Sequence, residues 1–196
     1  MEKIFYFDLE TTGVKYWRNG IHQISGLIEI NGEVKEEFDF HVQPNPSAEI
    51  DPEALKVGGV TLKQIMAYPP MSEIHEKLKY MLNKYVDKYN KKDKFFLCGY
   101  NNAPFDNPFL RAFFVQNGDN FFGSYFWSGG IDVMVLALDF LKHRRADMNN
   151  FKLMTVAEEM GIKIEEEKLH NATYDIYLTR EIYRRIKKCL MISKLQ

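Results

Sequence analysis

The chain has 196 residues, 45% hydrophobic and 27% charged, with 26 Lys and Arg against 27 Asp and Glu for a formal net charge of −1. These proportions suit one soluble folded domain over residues 1–196 and exclude a bulk-charge argument for a nucleic-acid partner, which has to come from local patches. Two cysteines exclude a disulfide framework, and the absence of any run of about 18 apolar residues excludes a transmembrane helix.

Met1-Glu2-Lys3 leads straight into the first apolar run, so no signal peptide and a reducing cytoplasm are expected. Cys98 and Cys189 fall in apolar company and are expected to be buried free thiols. Ile4–Leu9 reads as a strand buried on both faces. Gln23–Ile30 and Glu37–Val42 are two further strands, with the hairpin signal Asn31-Gly32 between them. Gln43-Pro44-Asn45-Pro46 ends the meander. Met71–Tyr89 carries Ile74, Leu78, Met81, Leu82 and Tyr85 at helical spacing with lysines between them, the pattern of an amphipathic helix. Phe95–Cys98 is a short strand. Asn107-Pro108 opens a helix continued by Phe109, Leu110, Phe113 and Phe114. Asp132 caps a helix over Val133–Lys142; Phe151–Met160 is another, closed by Gly161. The last helix runs from about Ala172 to Leu190. Strands and helices in this order predict an α/β sandwich with a mixed central sheet.

The first strand ends in Asp8-Leu9-Glu10, in the stretch YFDLETTG. Strand side chains alternate, so Asp8 and Glu10 point the same way, and two like charges at the end of a core strand repel and lose hydration. In the last helix, at 100° per residue, Leu178, Thr179, Ile182, Tyr183, Ile186, Cys189 and Leu190 fall within about 80° of Asp175. Arg180, Glu181, Arg184, Lys187 and Lys188 fall opposite. Asp175 therefore heads the inward stripe, where a buried ion pair or the helix dipole is the plain alternative to chemistry. His170, five residues earlier, cannot share that face and belongs to the loop leading in, with Asn171 as a candidate cap. An imidazole beside acids suits a general base; alone, it is a surface histidine. Asp106, in NNAPFDNPFL, is by itself a helix-start aspartate. If the three elements pack side by side, Asp8, Glu10, Asp106 and Asp175 converge. Four carboxylates without a matching basic cluster call for hard cations, Mg²⁺ or Mn²⁺, and a pair of them suits in-line phosphoryl displacement.

Three ordered motifs carry a family resemblance over nearly the whole chain. Asp8, Glu10, Thr11 and Gly13 match Asp-x-Glu-Thr-x-Gly; Asn102, Ala103, Phe105 and Asp106 match Asn-Ala-x-Phe-Asp; His170, Ala172 and Asp175 match His-x-Ala-x-x-Asp. The chain resembles the DEDDh 3′→5′ exonucleases of the RNase H-like superfamily, and most closely the proofreading exonuclease subunit of bacterial DNA polymerase III. IDPEALKV, IDVMVLAL and FKLMTVAEEMGI also resemble the family. The resemblance implies a three-layer RNase H-like sandwich and two metal ions held by Asp8, Glu10, Asp106 and Asp175, with His170 as base. It further implies a nucleic acid with a free 3′ end as partner, DNA favoured, bound near Thr11, Thr12 and Gly13 and at Asn102, with Phe105 wedging the last base.

The chain departs from that pattern at Asn101, where many relatives carry histidine, and at Val57-Gly58-Gly59-Val60, where many read Val-His-Gly-Ile. The tail by which some proofreading subunits bind their polymerase is not visible, so a permanent tether is not expected, although a polymerase partner stays open. Tyr16 and Trp17, flanked by Lys15 and Arg18, are candidates for stacking on a single strand, against a local hydrophobic cap. FFGSYFW, residues 121–127, reads as core packing, and the basic face of the last helix as solvated, with a path for the nucleic-acid backbone as its alternative. A 3′-trimming exoribonuclease or oligoribonuclease, a non-catalytic binding module and an accessory subunit are the competing readings.

Overall fold

A computed structural model of the chain describes residues 1–165 and 172–193. Strand β1 (Lys3–Thr11) lies in the middle of a five-stranded sheet of order β3-β2-β1-β4-β5. The other strands are β2 (Ile21–Ile30), β3 (Glu33–His41), β4 (Phe96–Gly99) and β5 (Ile131–Asp132). β1 pairs antiparallel with β2 and parallel with β4, and β5 extends the parallel side. Asn31 (φ 52°) and Gly32 (φ 87°) both take the left-handed conformation that a tight hairpin turn requires, and the strand beyond them starts earlier than the expected Glu37.

Period-two alternation sorts β1 onto two cores. Phe5, Phe7 and Leu9 face one layer with α3 (Met71–Asn83) and α4 (Asp106–Gln116). Ile4 and Tyr6 face the other, with α6 (Val133–Phe140), α7 (Leu153–Glu159) and α8 (Ala172–Ser193). Helices, sheet and helices give the three-layer sandwich expected. The first layer is an aromatic lattice: Phe5 lies 5.2 Å from Phe38 and 5.4 Å from Phe126, ring to ring. Burying each such ring stabilises by roughly 1.5–3 kcal/mol.

Short helices α1 (Pro52–Val57), α2 (Leu62–Met66) and α5 (Phe122–Tyr125) lie between these elements. They are too short to show a period. Helix α3 stops six residues before the expected Tyr89; past its end Lys3 reaches across to hydrogen-bond the Tyr85 carbonyl and pair with Asp93. Val86 there enters the core. Cys98 is buried, but Cys189 and Leu190 are exposed: the core on α8 ends at Ile186, so the apolar stripe outruns the packing. Arg180 is not on a solvated face. Its long stem lets the guanidinium reach buried Glu29 on β2 at 2.6 Å.

Gly26 on β2 carries the tightest backbone approach in the sheet. A Cβ there would overlap both the Phe38 ring and the Tyr6 carbonyl oxygen. The ring can rotate, but the carbonyl belongs to the central ladder. Gly26→Ala is expected to cost about 2–3 kcal/mol in urea unfolding, with no change in the sheet's helical neighbours by circular dichroism.

Candidate active site

The face of β1 that buries Ile4 and Tyr6 also presents Asp8 and Glu10, two and four residues on. This is the face on which α8 packs, and Asp175 stands in the first turn of that helix, half-buried. The third element arrives from the other layer. In the parallel register β4 pairs with β1 up to Cys98 opposite Tyr6, just short of Asp8, and the loop after it turns into α4 at Asp106. The Asp106 carboxylate, buried, accepts the Leu9 N–H at 3.2 Å. Asp106 is thus pinned between Asp8 and Glu10 in sequence, at the carboxyl end of the parallel pair, where open α/β sheets place their sites.

Electrostatics report the convergence. Burial holds the Asp8 carboxyl well above the ordinary carboxylate range, reinforced by the negative charges of Asp106, Glu10 and Asp175 in that order. Burial also pushes Asp106 up to about 7, with Glu10 and Asp132 adding repulsion against the lowering effect of the backbone hydrogen bonds. Among the described residues, no lysine or arginine acts on either carboxyl. The acids stand within electrostatic reach of one another, yet no three His, Cys, Asp or Glu side chains among the described residues gather closely enough to hold an ion as they stand. An all-oxygen set whose members repel one another fits a hard divalent cation. His170 and Asn171 lie outside the described residues.

The remaining predicted residues lie at the end of β1 and on the loops after β1 and β4. Thr11 donates to the Gly13 carbonyl at 2.8 Å. Thr12 is fully buried; its hydroxyl donates to the Glu49 carbonyl and accepts the Gly20 N–H, and its own N–H reaches the Gly20 carbonyl. Both threonine side chains therefore shape the loop after β1. In that loop the Tyr16 ring meets Phe109 edge to face, ring centres 6.4 Å apart, as a local cap would, while Trp17 is 66% exposed. Asn102 is buried and donates to Asn107 Oδ1 at 3.2 Å, and Phe105 rests half-buried against Phe109. Asp132 caps α6 as expected and does more. Its two oxygens accept the Asn101 and Ala103 N–H groups, fixing the second-motif loop.

One neighbour of the site is invisible in the sequence. His22, on β2, is fully buried with neither ring nitrogen hydrogen-bonded. The point where Gly58 would carry a Cβ lies 3.6 Å from both His22 Nε2 and Glu10 Oε2. Glycine at position 58 thus faces both the His22 imidazole and the Glu10 carboxylate without a side chain of its own. Burial, with repulsion from His41, lowers His22 to about 4, so the ring is neutral at pH 7. No spacing along the chain signals it, because β2 meets Glu10 only through the sheet register.

Comparison with known proteins gives a family and a fold. The model of the exonuclease family RNase_T matches residues 5–183. Over 177 residues the chain is 24% identical to the PolC-type DNA polymerase III of Mycoplasmopsis pulmonis (strain UAB CTIP), covering 90% of the chain but 11% of that protein. E. coli exonuclease I in complex with a dT13 oligonucleotide superposes with a TM-score of 0.70 at 20% identity, over 95% of this chain and 40% of that one. The zinc-bound form of the E. coli exonuclease I–single-stranded DNA complex does so at 0.75 and 20%, over 96% and 41%. The chain spans about two fifths of those structures.

Proposed function

The chain belongs to the RNase_T exonuclease family, and from that premise we propose that it removes nucleoside 5′-monophosphates from the 3′ ends of single-stranded or frayed DNA. The observation that carries this reading is the buried carboxylate pair Asp8 and Asp106, each raised by burial and by its acidic neighbours. A cluster so unfavourable in isolation is what a divalent-metal site looks like before its ions bind. Asp8, Glu10, Asp106 and Asp175 would hold two Mg²⁺ or Mn²⁺ ions. Bound there, the ions would supply charge neutralisation and Lewis acidity for in-line displacement at phosphorus.

The protein's own groups would do the rest. The Leu9 N–H fixes the Asp106 carboxylate, and Asp132 fixes the loop that delivers it. His170 would take the proton of the attacking water. Phe105 and Trp17, partly or largely exposed, would flank the terminal base. The choice of single-stranded DNA is supported by the ligands of the E. coli exonuclease I structures. A proofreading setting is supported by the likeness to a PolC-type polymerase.

The test uses purified protein with Mn²⁺ and 5′-labelled DNA or RNA strands of one sequence, single-stranded, paired or mismatched at the 3′ end. Stepwise shortening of single-stranded and mismatched DNA, with release of 5′-mononucleotides and arrest by a chelator, is expected. Inert DNA, or RNA consumed much faster than DNA, overturns the reading.

A further inference from the structure

A cavity of about 700 Å³ opens beside α4, between that helix and the chain entering β5. It is bounded by Tyr16, Asn107, Arg111, Phe122, Trp127 and Ser128, and it is of ligand-binding size. We propose that this cavity is a second nucleobase site, taking a base of the single strand on the 5′ side of the terminal nucleotide, with the phosphate beside it held by Arg111. The proposal rests on the exonuclease reading above and extends it to the path of the strand.

The cavity is walled by the same elements that carry the candidate active site. Asn107 follows Asp106 directly, and Tyr16 belongs to the loop that leaves β1 after Glu10. From Asn107 to Val115 the wall runs eight residues along α4, about 12 Å, so a strand whose end reaches Asp106 has its next bases in range.

The chemistry of the walls favours a base over an apolar side chain. A base is flat, apolar on its faces and polar at its edge, and stacking on aromatic rings is tolerant of sequence. The apolar surface is here: Trp127, half-buried, lines the cavity, with the Lys94 ammonium 5.3 Å from its ring centre and the Phe96 ring at 6.1 Å. The polar groups are here too, in the Asn107 amide and Ser128. The cation is Arg111, exposed and laid over the Phe122 ring at 4.7 Å, a planar guanidinium suited to phosphate. The stretch 121–127, expected to be core, is therefore divided. Phe122, Tyr125 and Phe126 are buried, Phe121 is exposed, and Trp127 faces the cavity.

Two measurements test this separately from catalysis. Equilibrium binding of dT oligonucleotides of increasing length, in Ca²⁺ or chelator, reads the cavity. Turnover of a p-nitrophenyl ester of thymidine 5′-monophosphate, which has one nucleotide, reads the catalytic centre alone. Trp127→Ala is expected to weaken oligonucleotide binding about tenfold, the loss of one base stack, and to leave ester turnover unchanged. Trp127→Phe is expected to restore most of the affinity, which separates stacking from a fold defect. Arg111→Ala is expected to lower the salt dependence of binding by about one phosphate contact. Oligonucleotide affinity indifferent to Trp127→Ala and to Arg111→Ala overturns the second site, with the cavity then left to a protein partner or to nothing. Absence of ester turnover in the unaltered protein overturns the exonuclease reading instead.

Discussion

Asp8→Asn is expected to slow hydrolysis by roughly 10³-fold or more while making the metal-free protein more stable. The two effects have one cause. Asp8 sits at the end of the central strand with three other acids acting on it, and none of that repulsion is relieved inside the chain by a lysine or arginine among the described residues. An amide of the same shape abolishes the repulsion and the cost of burying a charge, a gain of about 1–3 kcal/mol, or several degrees in Tm for a chain of this size. It equally removes a donor that a divalent cation needs, and loss of one electrostatic element aimed at the reacting group costs factors of this order. Calorimetry without metal and digestion of a labelled single strand measure the pair. A variant that is less stable, or that digests at the normal rate, shows that Asp8 is a structural carboxylate.

In chelator, stability is expected to fall as pH rises from 5 to 7.5, and Mn²⁺ or Mg²⁺ is expected to restore it at the upper end only. Asp106 titrates at about 7 in the folded protein against an ordinary 3.8. Between those values the folded chain keeps a proton that the unfolded chain has lost. Protonation therefore favours the folded state, and the advantage drains away as pH climbs through the window. The size is on the order of 2–3 kcal/mol at 1.36 kcal/mol per pKa unit, and raised Asp8 acts in the same direction. His22, lowered to about 4, works the opposite way between about pH 4 and 6.5, since its protonation favours unfolding. The comparison that isolates Asp106 is thus the unaltered protein against Asp106→Asn, whose stability should lack this component of the slope. Cations at a hundredfold excess over Kd would add about 2.7 kcal/mol where the carboxylates are ionised, and little at pH 5, where protons compete. A stability difference between the two proteins that does not change over this range rules out the shared acidic pocket.

Legibility followed locality. The period-two run at β1 and the 100° wheel of α8 depend on neighbours a few residues apart, and both elements form where the patterns say. The Asn31-Gly32 turn follows from the left-handed conformation that a type I′ hairpin turn requires of both residues. The ends of elements were less legible. Helix α3 has helical spacing out to Tyr85, but it ends at Asn83, and beyond it the Tyr85 carbonyl is taken by an amine from position 3. Cys189 continues a legible stripe into a region where the core has already stopped.

By itself the sequence determined which residues carry charge at the edges of apolar elements, and on which face of its own strand or helix each stands: Asp8 with Glu10, Asp175 at the head of the α8 stripe, Asp106 where a loop becomes a helix. Tertiary structure alone decided who meets whom. It set Asp106 against the Leu9 amide, carried Arg180 to Glu29, brought Gly58 between His22 and Glu10, and opened a cavity between α4 and the entry to β5. The reason is physical: a face is fixed by the bond geometry of one element and so leaves a period in the chain, whereas contact between elements is fixed by strand order and packing, which bring together residues with no regular separation in sequence.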